Sequence, residues 1–256
     1  MTEPALRTDD LCKSFGALAV TDHVSLSVAP GEMHALIGPN GAGKTTLIAQ
    51  LSGELPSDSG RIYFEGQDIT SLPVYRRSAI GIARTFQITS IFRSFSAQAN
   101  AALSAQAHDG HSFRFWRPAE RFEKLQDIGA RMLDRVGLSS RARVRAADLS
   151  HGEHRMLELA MALSTAPRLF LLDEPMAGLG PSESAAMMEM LRTLKGTHTV
   201  VLVEHDMDAV FSLADRISVL AQGRVIATGT PDEIRRNREV RLAYLGDESE
   251  GPAHHA

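Results

Sequence analysis

The stretch GPNGAGKTT, residues 38 to 46, limits the folds open to this chain more than any other feature. It satisfies the pattern G-x-x-x-x-G-K-[ST] and lies between an apolar run, HALI, and a stretch of helical character, TTLIAQL. A loop between a strand and a helix can direct successive backbone N–H groups at one anion, and glycines permit the backbone conformations that this requires. The pattern therefore predicts a phosphate-binding loop in an α/β fold, rather than a glycine-rich turn that matches by chance.

The loop offers both backbone donors and side chains with separate roles. The Lys44 ammonium suits the terminal phosphates of a nucleotide, and the Thr45 hydroxyl is a natural Mg²⁺ ligand. We therefore predict a nucleotide phosphate chain and Mg²⁺ as the bound groups. The nucleotide phosphates are expected to contact the whole loop, which consists of Gly38, Pro39, Asn40, Gly41, Ala42, Gly43, Lys44, Thr45 and Thr46.

Two adjacent carboxylates follow a second apolar run, in RLFLLDEP at residues 168 to 175. Because side chains alternate across a strand, Asp173 and Glu174 should point in different directions. We expect Asp173 to serve the shell of the metal, through water, and Glu174 to contact the attacking water as a general base. The alternative is that the two residues are solvated acids at a strand end. The phosphate loop upstream argues against this alternative.

The distribution of apolar runs predicts an α/β core that is interrupted by helices. Residues 5 to 37 carry strand signals, whereas residues 95 to 165 have mainly helical spacing. Helices that alternate with fully apolar strands indicate a mostly parallel sheet covered on both faces. Further strands are predicted within 60–69, 80–86, 168–175 and 198–206, and a hairpin that turns near Gln222 and Gly223 within 216–229.

Composition argues against several classes of protein. The net charge of −4 is unsuited to general binding along a nucleic-acid backbone. The single cysteine, Cys12, cannot form an internal disulfide. No segment reaches the roughly 18 uninterrupted apolar residues of a membrane span, and the start MTEPALRTDD lacks the features of a secretory signal. We expect a reducing compartment, with any membrane reached through a partner.

Taken together, these motifs make the sequence resemble the ATP-binding-cassette ATPases, the nucleotide-binding subunits of transporters, from residue 5 to about 246. The family signature, L-S-G-G-Q, is matched by LSHGE at 149–153. The glutamine that the family places between phosphate loop and signature is matched by Gln87. Its histidine one strand beyond the paired acids is matched by His205, and its adenine-stacking aromatic by Phe15.

The resemblance implies a P-loop NTPase core with a mostly parallel sheet, an N-terminal antiparallel β subdomain and an inserted α-helical subdomain. It implies an ATPase with catalytic roles for Glu174, His205, Gln87 and Lys44. It also places Thr45, Gln87 and Asp173 around Mg²⁺. The implied boundaries are one domain at 5–246, with an α/β core at 5–90 and 166–230, a helical subdomain at 91–165 and a helical tail at 231–246, followed by a disordered tail at 247–256.

In this family two ATPase domains pack head to tail, so the resemblance implies that Ser150 and Gly152 bind ATP held by a second protomer. That protomer would be an identical chain or a related ATPase. Three residues depart from the family pattern: His151 replaces a glycine, Glu153 a glutamine, and Gly180 a frequent aspartate. Gly152 is kept where backbone must approach phosphate most closely, so we expect the site to work.

Three stretches resemble the ATPases of bacterial branched-chain amino-acid importers, the hydrophobic amino-acid uptake group. They are GIARTFQITSIF, at 81–92, the long segment before LDRVGL, at 133–138, and TPDEIRRNREVRLAYLG, at 230–246, which is predicted to form one helix. The similarity implies two transmembrane permease subunits, a periplasmic solute-binding protein reached indirectly, and no nucleic acid. It also implies a peripheral location on the cytoplasmic face of the inner membrane.

A groove between the α/β core and the helical part is expected to hold a short permease helix. Ile91, Phe92 and Phe95 follow Gln87 and would anchor that helix, unless they merely pack the helical part. Three alternative functions stay open at this point. They are an importer of urea or short amides, an ATPase that acts on nucleic acid or ribosomes, and a nucleotide-responsive module that no longer hydrolyses.

Overall fold

The described part of the chain forms two β-sheets, with helices packed around the larger one. A computed structural model describes residues 3–85, 91–108 and 119–245. Its strands are β1 (Leu6–Phe15), β2 (Leu18–Val28), β3 (Met33–Ile37), β4 (Ser59–Phe64), β5 (Gln67–Asp68), β6 (Ile82–Thr85), β7 (Leu169–Asp173), β8 (Thr199–Val203), β9 (Arg216–Ala221) and β10 (Arg224–Gly229). Its α-helices are α1 (Lys44–Ser52), α2 (Val74–Ala79), α3 (Ala97–His108), α4 (Ala119–Arg135), α5 (His151–Ser164), α6 (Pro181–Leu194), α7 (Met207–Leu213), α8 (Pro231–Arg236) and α9 (Arg238–Leu245).

The larger sheet has six strands in the order β10-β9-β3-β8-β7-β6. Strands β9, β3, β8, β7 and β6 run parallel, and β10 pairs with β9 in the antiparallel sense. Every residue of β3, β7 and β8 is buried, as expected for a parallel sheet covered on both faces. The predicted mostly parallel sheet is therefore confirmed.

The register of the central strands brings the predicted site residues to one edge of this sheet. Leu36 of β3 lies opposite Val203 of β8, and Asp173 of β7 lies opposite the same Val203. The loops that follow these three strands therefore begin side by side. Ligands of open parallel sheets bind at this carboxyl edge, where the phosphate loop also begins.

The smaller sheet is antiparallel, with the strand order β2-β1-β4-β5. Its inner face buries Leu6, Leu11 and Ile62 in one cluster with Leu47 and Leu51 of α1. The antiparallel N-terminal part that the resemblance implied is therefore confirmed. This packing fixes the helix that begins at Lys44 between the two sheets.

Helices α3, α4 and α5 form the helical part, and its apolar side chains share a cluster with Phe170 of β7. The helical spacing within 149–163 predicts that Arg155 and Glu158 face outward, opposite an apolar face at Leu157, Leu159, Ala160 and Leu163. The apolar face is confirmed. The prediction that Arg155 and Glu158 face outward is wrong. Their side chains are only 18% and 9% exposed, and they pair with each other at 3.3 Å, so a buried ion pair replaces the expected solvated face.

The C-terminal segment also differs from its prediction. It forms two helices rather than one, because Asn237 leaves helical geometry with a ψ of 120°. The Asn237 carboxamide oxygen accepts hydrogen bonds from the backbone N–H groups of Glu239 and Val240, at 2.9 and 3.2 Å. Such local capping offers the backbone an alternative to a continuous helix. The predicted disordered tail, 247–256, lies outside the described residues.

The predicted hairpin is confirmed, because Gln222 and Gly223 join β9 to β10 with φ values of 49° and 78°. Two successive positive φ values are the geometry of the tight turn that matches strand twist.

Among the helices that the structure describes, none combines the length and the apolar character needed to cross a membrane.

Candidate functional site

The phosphate loop begins where β3 ends and packs tightly against neighbouring backbone. A Cβ on Gly38 would lie 2.1 Å from the Leu220 carbonyl oxygen, and one on Gly43 would lie 2.2 Å from that of Val20. Gly43 also has a φ of 101°, which side-chain-bearing residues rarely adopt. Glycine is therefore required at both positions because a Cβ atom would clash with a backbone carbonyl oxygen, and not only because of the conformation of the loop.

Lys44 opens helix α1 and is almost fully buried at the base of the loop. Its ammonium donates hydrogen bonds to the carbonyl oxygens of Gly38, at 2.6 Å, and Pro39, at 3.1 Å. Burial lowers the pKa of Lys44, and the nearby charges of Glu174 and Asp173 oppose that shift. The cation is thus held at the loop and lies within electrostatic range of both predicted acids.

The two adjacent acids diverge as predicted, but not through strand alternation. Asp173 is the last residue of β7 and is buried, whereas Glu174 has a φ of 50° and a side chain that is 45% exposed. A non-glycine residue in this left-handed region costs about 1 kcal/mol or more, and such strain gathers at functional sites. The turn directs Asp173 into the protein and Glu174 toward the open edge of the sheet.

The residues present fit a Mg²⁺ ion. Burial raises the pKa of Asp173, the Arg84 guanidinium opposes that shift, and the charge of Glu174 raises the pKa further. A divalent cation would relieve both the desolvation of this carboxylate and its repulsion from Glu174. Thr45, in the first turn of α1, is exposed and adds an oxygen donor of the hard type that Mg²⁺ prefers. Gln87 lies outside the described residues.

His205 lies close to Glu174, as the order of the motifs suggested. The His205 Nδ1 atom is 4.0 Å from a Glu174 carboxylate oxygen, and the imidazole is 64% exposed. Both side chains therefore face the open edge of the sheet.

Glu204 is a residue of this site that the sequence analysis missed. It is 1% exposed, and its two carboxylate oxygens accept hydrogen bonds from the backbone N–H groups of Met176 and His205, at 3.0 and 3.2 Å. Burial raises its pKa. One carboxylate thus anchors, through hydrogen bonds, both the loop after Glu174 and the loop that carries His205. The sequence signal that could have identified Glu204 is its position as a single acid directly after the apolar run TVVLV.

The signature stretch begins helix α5 with a capping box. The Ser150 hydroxyl accepts a hydrogen bond from the Glu153 N–H at 3.1 Å, and the Glu153 carboxylate accepts one from the Ser150 N–H at 2.8 Å. Glu153 also pairs with Arg141 at 2.7 Å. Glutamate and glutamine both serve at this capping position, which explains why Glu153 can replace the glutamine of the family pattern.

The start of α5 also contacts the start of α6. A Cβ on Gly152 would lie 2.3 Å from a Glu183 carboxylate oxygen, and one on Gly178 would lie 3.2 Å from the His151 imidazole. Glu183 accepts a hydrogen bond from the Gly180 N–H at 3.1 Å. Gly180 has no side chain with which to cap α6. The Glu183 carboxylate that accepts a hydrogen bond from its N–H also lies beside the Cα of Gly152.

The predicted aromatic residues Phe15, Phe92 and Phe95 are exposed, whereas the predicted anchor Ile91 is packed. Phe15 is 54% exposed at the end of β1, with the Lys13 ammonium 5.7 Å from its ring centre, so its ring is open to a stacking partner. Phe92 and Phe95 are 52% and 45% exposed, and their ring centres lie 5.5 Å apart. Ile91 instead packs against the cluster of the helical part, so it is a packing residue and not an exposed anchor.

The chain is similar to known ATP-binding cassettes in sequence and in fold. The model of a family described as ABC transporter matches residues 21–177, and one described as branched-chain amino acid ATP-binding cassette transporter matches residues 224–250. The chain is 38% identical to the high-affinity branched-chain amino acid transport ATP-binding protein LivG of Escherichia coli (strain K12), over 96% of this chain and 100% of LivG. It is 37% identical to BraF of Pseudomonas aeruginosa, with the same coverage. The crystal structure of the ADP conformation of MJ1267, an ATP-binding cassette of an ABC transporter, superposes with a TM-score of 0.84 at 32% identity, over 96% of this chain and 100% of MJ1267.

Proposed function

The chain belongs to the ATP-binding-cassette family of transporter ATPases, and on that premise we propose that it hydrolyses ATP to drive import of branched-chain amino acids. The observation that carries the catalytic part is the arrangement after β7. Asp173 is buried within electrostatic range of Lys44, and Glu174 turns in the left-handed region toward His205.

Each group has a distinct task in hydrolysis. The backbone N–H groups of the loop and the Lys44 ammonium bind the phosphates and stabilise charge that develops on them. We propose that Glu174 accepts a proton from the attacking water and that His205 orients the γ-phosphate. Thr45, Gln87 and, through water, Asp173 would hold Mg²⁺, which would supply positive charge that offsets the charge of the phosphates.

The assignment of solute and partners rests on the relatives. LivG and BraF are named as branched-chain amino acid transport proteins, and the chain matches each over the full length of that relative. The match at 224–250 supports the same class. We propose two permease subunits as membrane partners, an indirectly coupled periplasmic solute-binding protein, and a location on the cytoplasmic face of the membrane. A second ATPase protomer would complete the nucleotide site by placing its Ser150 and Gly152 against the γ-phosphate.

Substitution of the proposed base tests the catalytic assignment. The variant Glu174→Gln should bind ATP nearly as wild type does, because the loop and Lys44 are intact. It should hydrolyse ATP about 100-fold or more slowly, since a general base contributes on that scale. Release of inorganic phosphate and binding of a fluorescent ATP analogue measure the two quantities. Glu189→Gln, at an exposed position of α6, is the matched control. Wild-type hydrolysis in Glu174→Gln would refute the assignment.

Reconstitution tests the solute. The chain would be assembled in liposomes with the permeases, the partner ATPase and the solute-binding protein encoded beside its gene. We expect ATP-dependent uptake of labelled leucine, isoleucine or valine, with labelled urea and acetamide as comparison solutes. Uptake of the amides without uptake of the amino acids would assign the chain to a related importer.

A further inference from the structure

Arg84 lies at the junction of three elements that meet beneath the nucleotide site. It belongs to β6, next to β7, and its side chain is 7% exposed. One terminal nitrogen, Nη1, donates to the Glu54 carboxylate at 2.5 Å and to the Ser52 hydroxyl at 3.3 Å. The other, Nη2, donates to Oδ2 of Asp173 at 3.3 Å. The guanidinium thus joins the C-terminal end of α1 to the carboxylate of the last residue of β7.

We propose that Arg84 is a positioning residue for the metal-binding carboxylate. Its guanidinium holds Oδ2 of Asp173 and fixes the rotamer of that side chain before the nucleotide arrives, and Glu54 fixes Arg84 in turn. This inference rests on the proposed function, because it assumes that Asp173 serves a Mg²⁺–nucleotide complex. Arg84 is not among the residues that the family resemblance assigned to the site.

The chemistry of arginine suits this task better than that of lysine. The guanidinium is planar, so Nη1 and Nη2 can hold two separate carboxylates in a fixed relation to each other. A lysine ammonium is a single point on a flexible stem and would engage one of them at a time. Ser52 is the last residue of the helix that Lys44 begins, and Glu54 lies two residues beyond it. The same contacts therefore also fix Asp173 relative to the phosphate loop.

A purely electrostatic role for Arg84 makes the opposite prediction for metal binding. A fixed cation 3.3 Å from Asp173 repels a divalent ion, so Coulomb's law alone predicts tighter metal binding when Arg84 is neutralised. If Arg84 instead positions Asp173, its removal leaves that carboxylate free to rotate, and metal binding weakens. Residues that orient metal ligands typically change affinity about tenfold or more. The sign of the change therefore separates the two roles.

Mn²⁺ binding in the presence of ADP shows whether metal affinity rises or falls when Arg84 is replaced, and it requires no hydrolysis. Electron paramagnetic resonance of free Mn²⁺ would be measured on the full chain, for wild type and for Arg84→Gln, Arg84→Lys, Glu54→Gln and Asp173→Asn. We expect Mn²⁺ affinity to fall about tenfold in Arg84→Gln, less in Arg84→Lys, and several-fold in Glu54→Gln. ADP affinity in EDTA should stay unchanged in these three variants. Arg61→Gln removes an exposed strand arginine paired with Asp68 and should change neither quantity.

Equal or tighter Mn²⁺ binding by folded Arg84→Gln would overturn the proposal. Thermal unfolding shows whether that variant folds. If it does not, Glu54→Gln decides, because Glu54 is partly exposed and does not touch Asp173, and unchanged Mn²⁺ affinity there would equally refute the proposal. The proposed function fails separately, if wild-type protein binds neither ADP nor Mn²⁺–ADP or if Asp173→Asn binds Mn²⁺ as wild type does.

Discussion

Among single residues, Glu204 shows most directly how a buried charge organises the site. Its carboxylate accepts hydrogen bonds from both loops that flank Glu174, yet it lies in an environment that disfavours its charged form. In Glu204→Gln the amide oxygen can replace only one of the two acceptors, and the NH₂ group would oppose a backbone N–H. We expect slower hydrolysis with ATP binding retained, because the variant loosens the loops of Glu174 and His205 and leaves Lys44 in place.

The same residue makes a prediction about pH. Because the pKa of Glu204 is raised above 4.5, the folded state holds this proton more tightly than the unfolded state. Stability from this group is therefore present below about pH 4.5 and is lost as the pH rises through the raised pKa. The unfolding free energy of wild type minus that of Glu204→Gln should decrease over this window and then level off. Urea unfolding at a series of pH values measures it, and a difference independent of pH would contradict the assignment.

Residues with local roles were predictable, whereas residues with long-range partners were not. The spacing of GPNGAGKTT specifies a loop by itself, so Lys44 and its glycines followed from sequence. Arg77 looks like a surface residue of a short polar helix. It is instead 2% exposed and donates hydrogen bonds to the Gln50 and Leu51 carbonyl oxygens at the end of α1, and burial lowers its pKa to about 10. Only the fold brings these partners together.

At the scale of elements, fully apolar strands were the easiest to predict. Strands β3, β7 and β8 are buried on both faces, so each appears as a continuous apolar run. Short helices such as α7 were missed because seven residues contain too few turns to show a period. The break between α8 and α9 depends on one side-chain cap, at Asn237, inside a stretch with good helical spacing.

The segment before α3 carries a prediction about the membrane partner. Phe92 presents an exposed ring, while its backbone N–H and carbonyl are both held by the Asn100 carboxamide, at 2.8 and 3.1 Å. The backbone should therefore keep its course in Phe92→Ala. We expect folding and basal ATPase activity to survive, and co-purification with the permease to be lost, because exposed aromatic residues often dominate interface energy.

Two control variants sharpen that experiment. Ile91→Ala should lower the unfolding temperature, because Ile91 packs against the helical cluster. Leu242→Ala removes an exposed apolar side chain from α9 and should affect neither folding nor, if the contact lies at Phe92, permease binding. Loss of folding in Phe92→Ala would instead make Phe92 a packing residue. Retained co-purification in a folded Phe92→Ala protein would place the permease contact elsewhere.

For the molecule as a whole, the main question is whether one chain can complete a nucleotide site. The chain has one phosphate loop, which follows β3, and one signature, at the start of α5. If signature and loop act across a dimer, Lys44→Ala and a signature variant should complement each other. Ser150 caps α5, so the signature variant should preserve the cap. Aspartate caps about as well as serine, and its charge would repel phosphate, which makes Ser150→Asp suitable.

Mixing the two inactive variants yields heterodimers in which one composite site is intact and the other carries both changes. We expect hydrolysis in the mixture to exceed that of either variant alone, because the intact site combines a wild-type loop with a wild-type signature from the other chain. Phosphate release across a series of mixing ratios measures this, with heterodimer formation verified by two affinity tags. The cap-preserving but uncharged Ser150→Asn variant serves as the control for repulsion and should retain more activity than Ser150→Asp. Equal inactivity in verified heterodimers would mean that one intact composite site is not sufficient for hydrolysis.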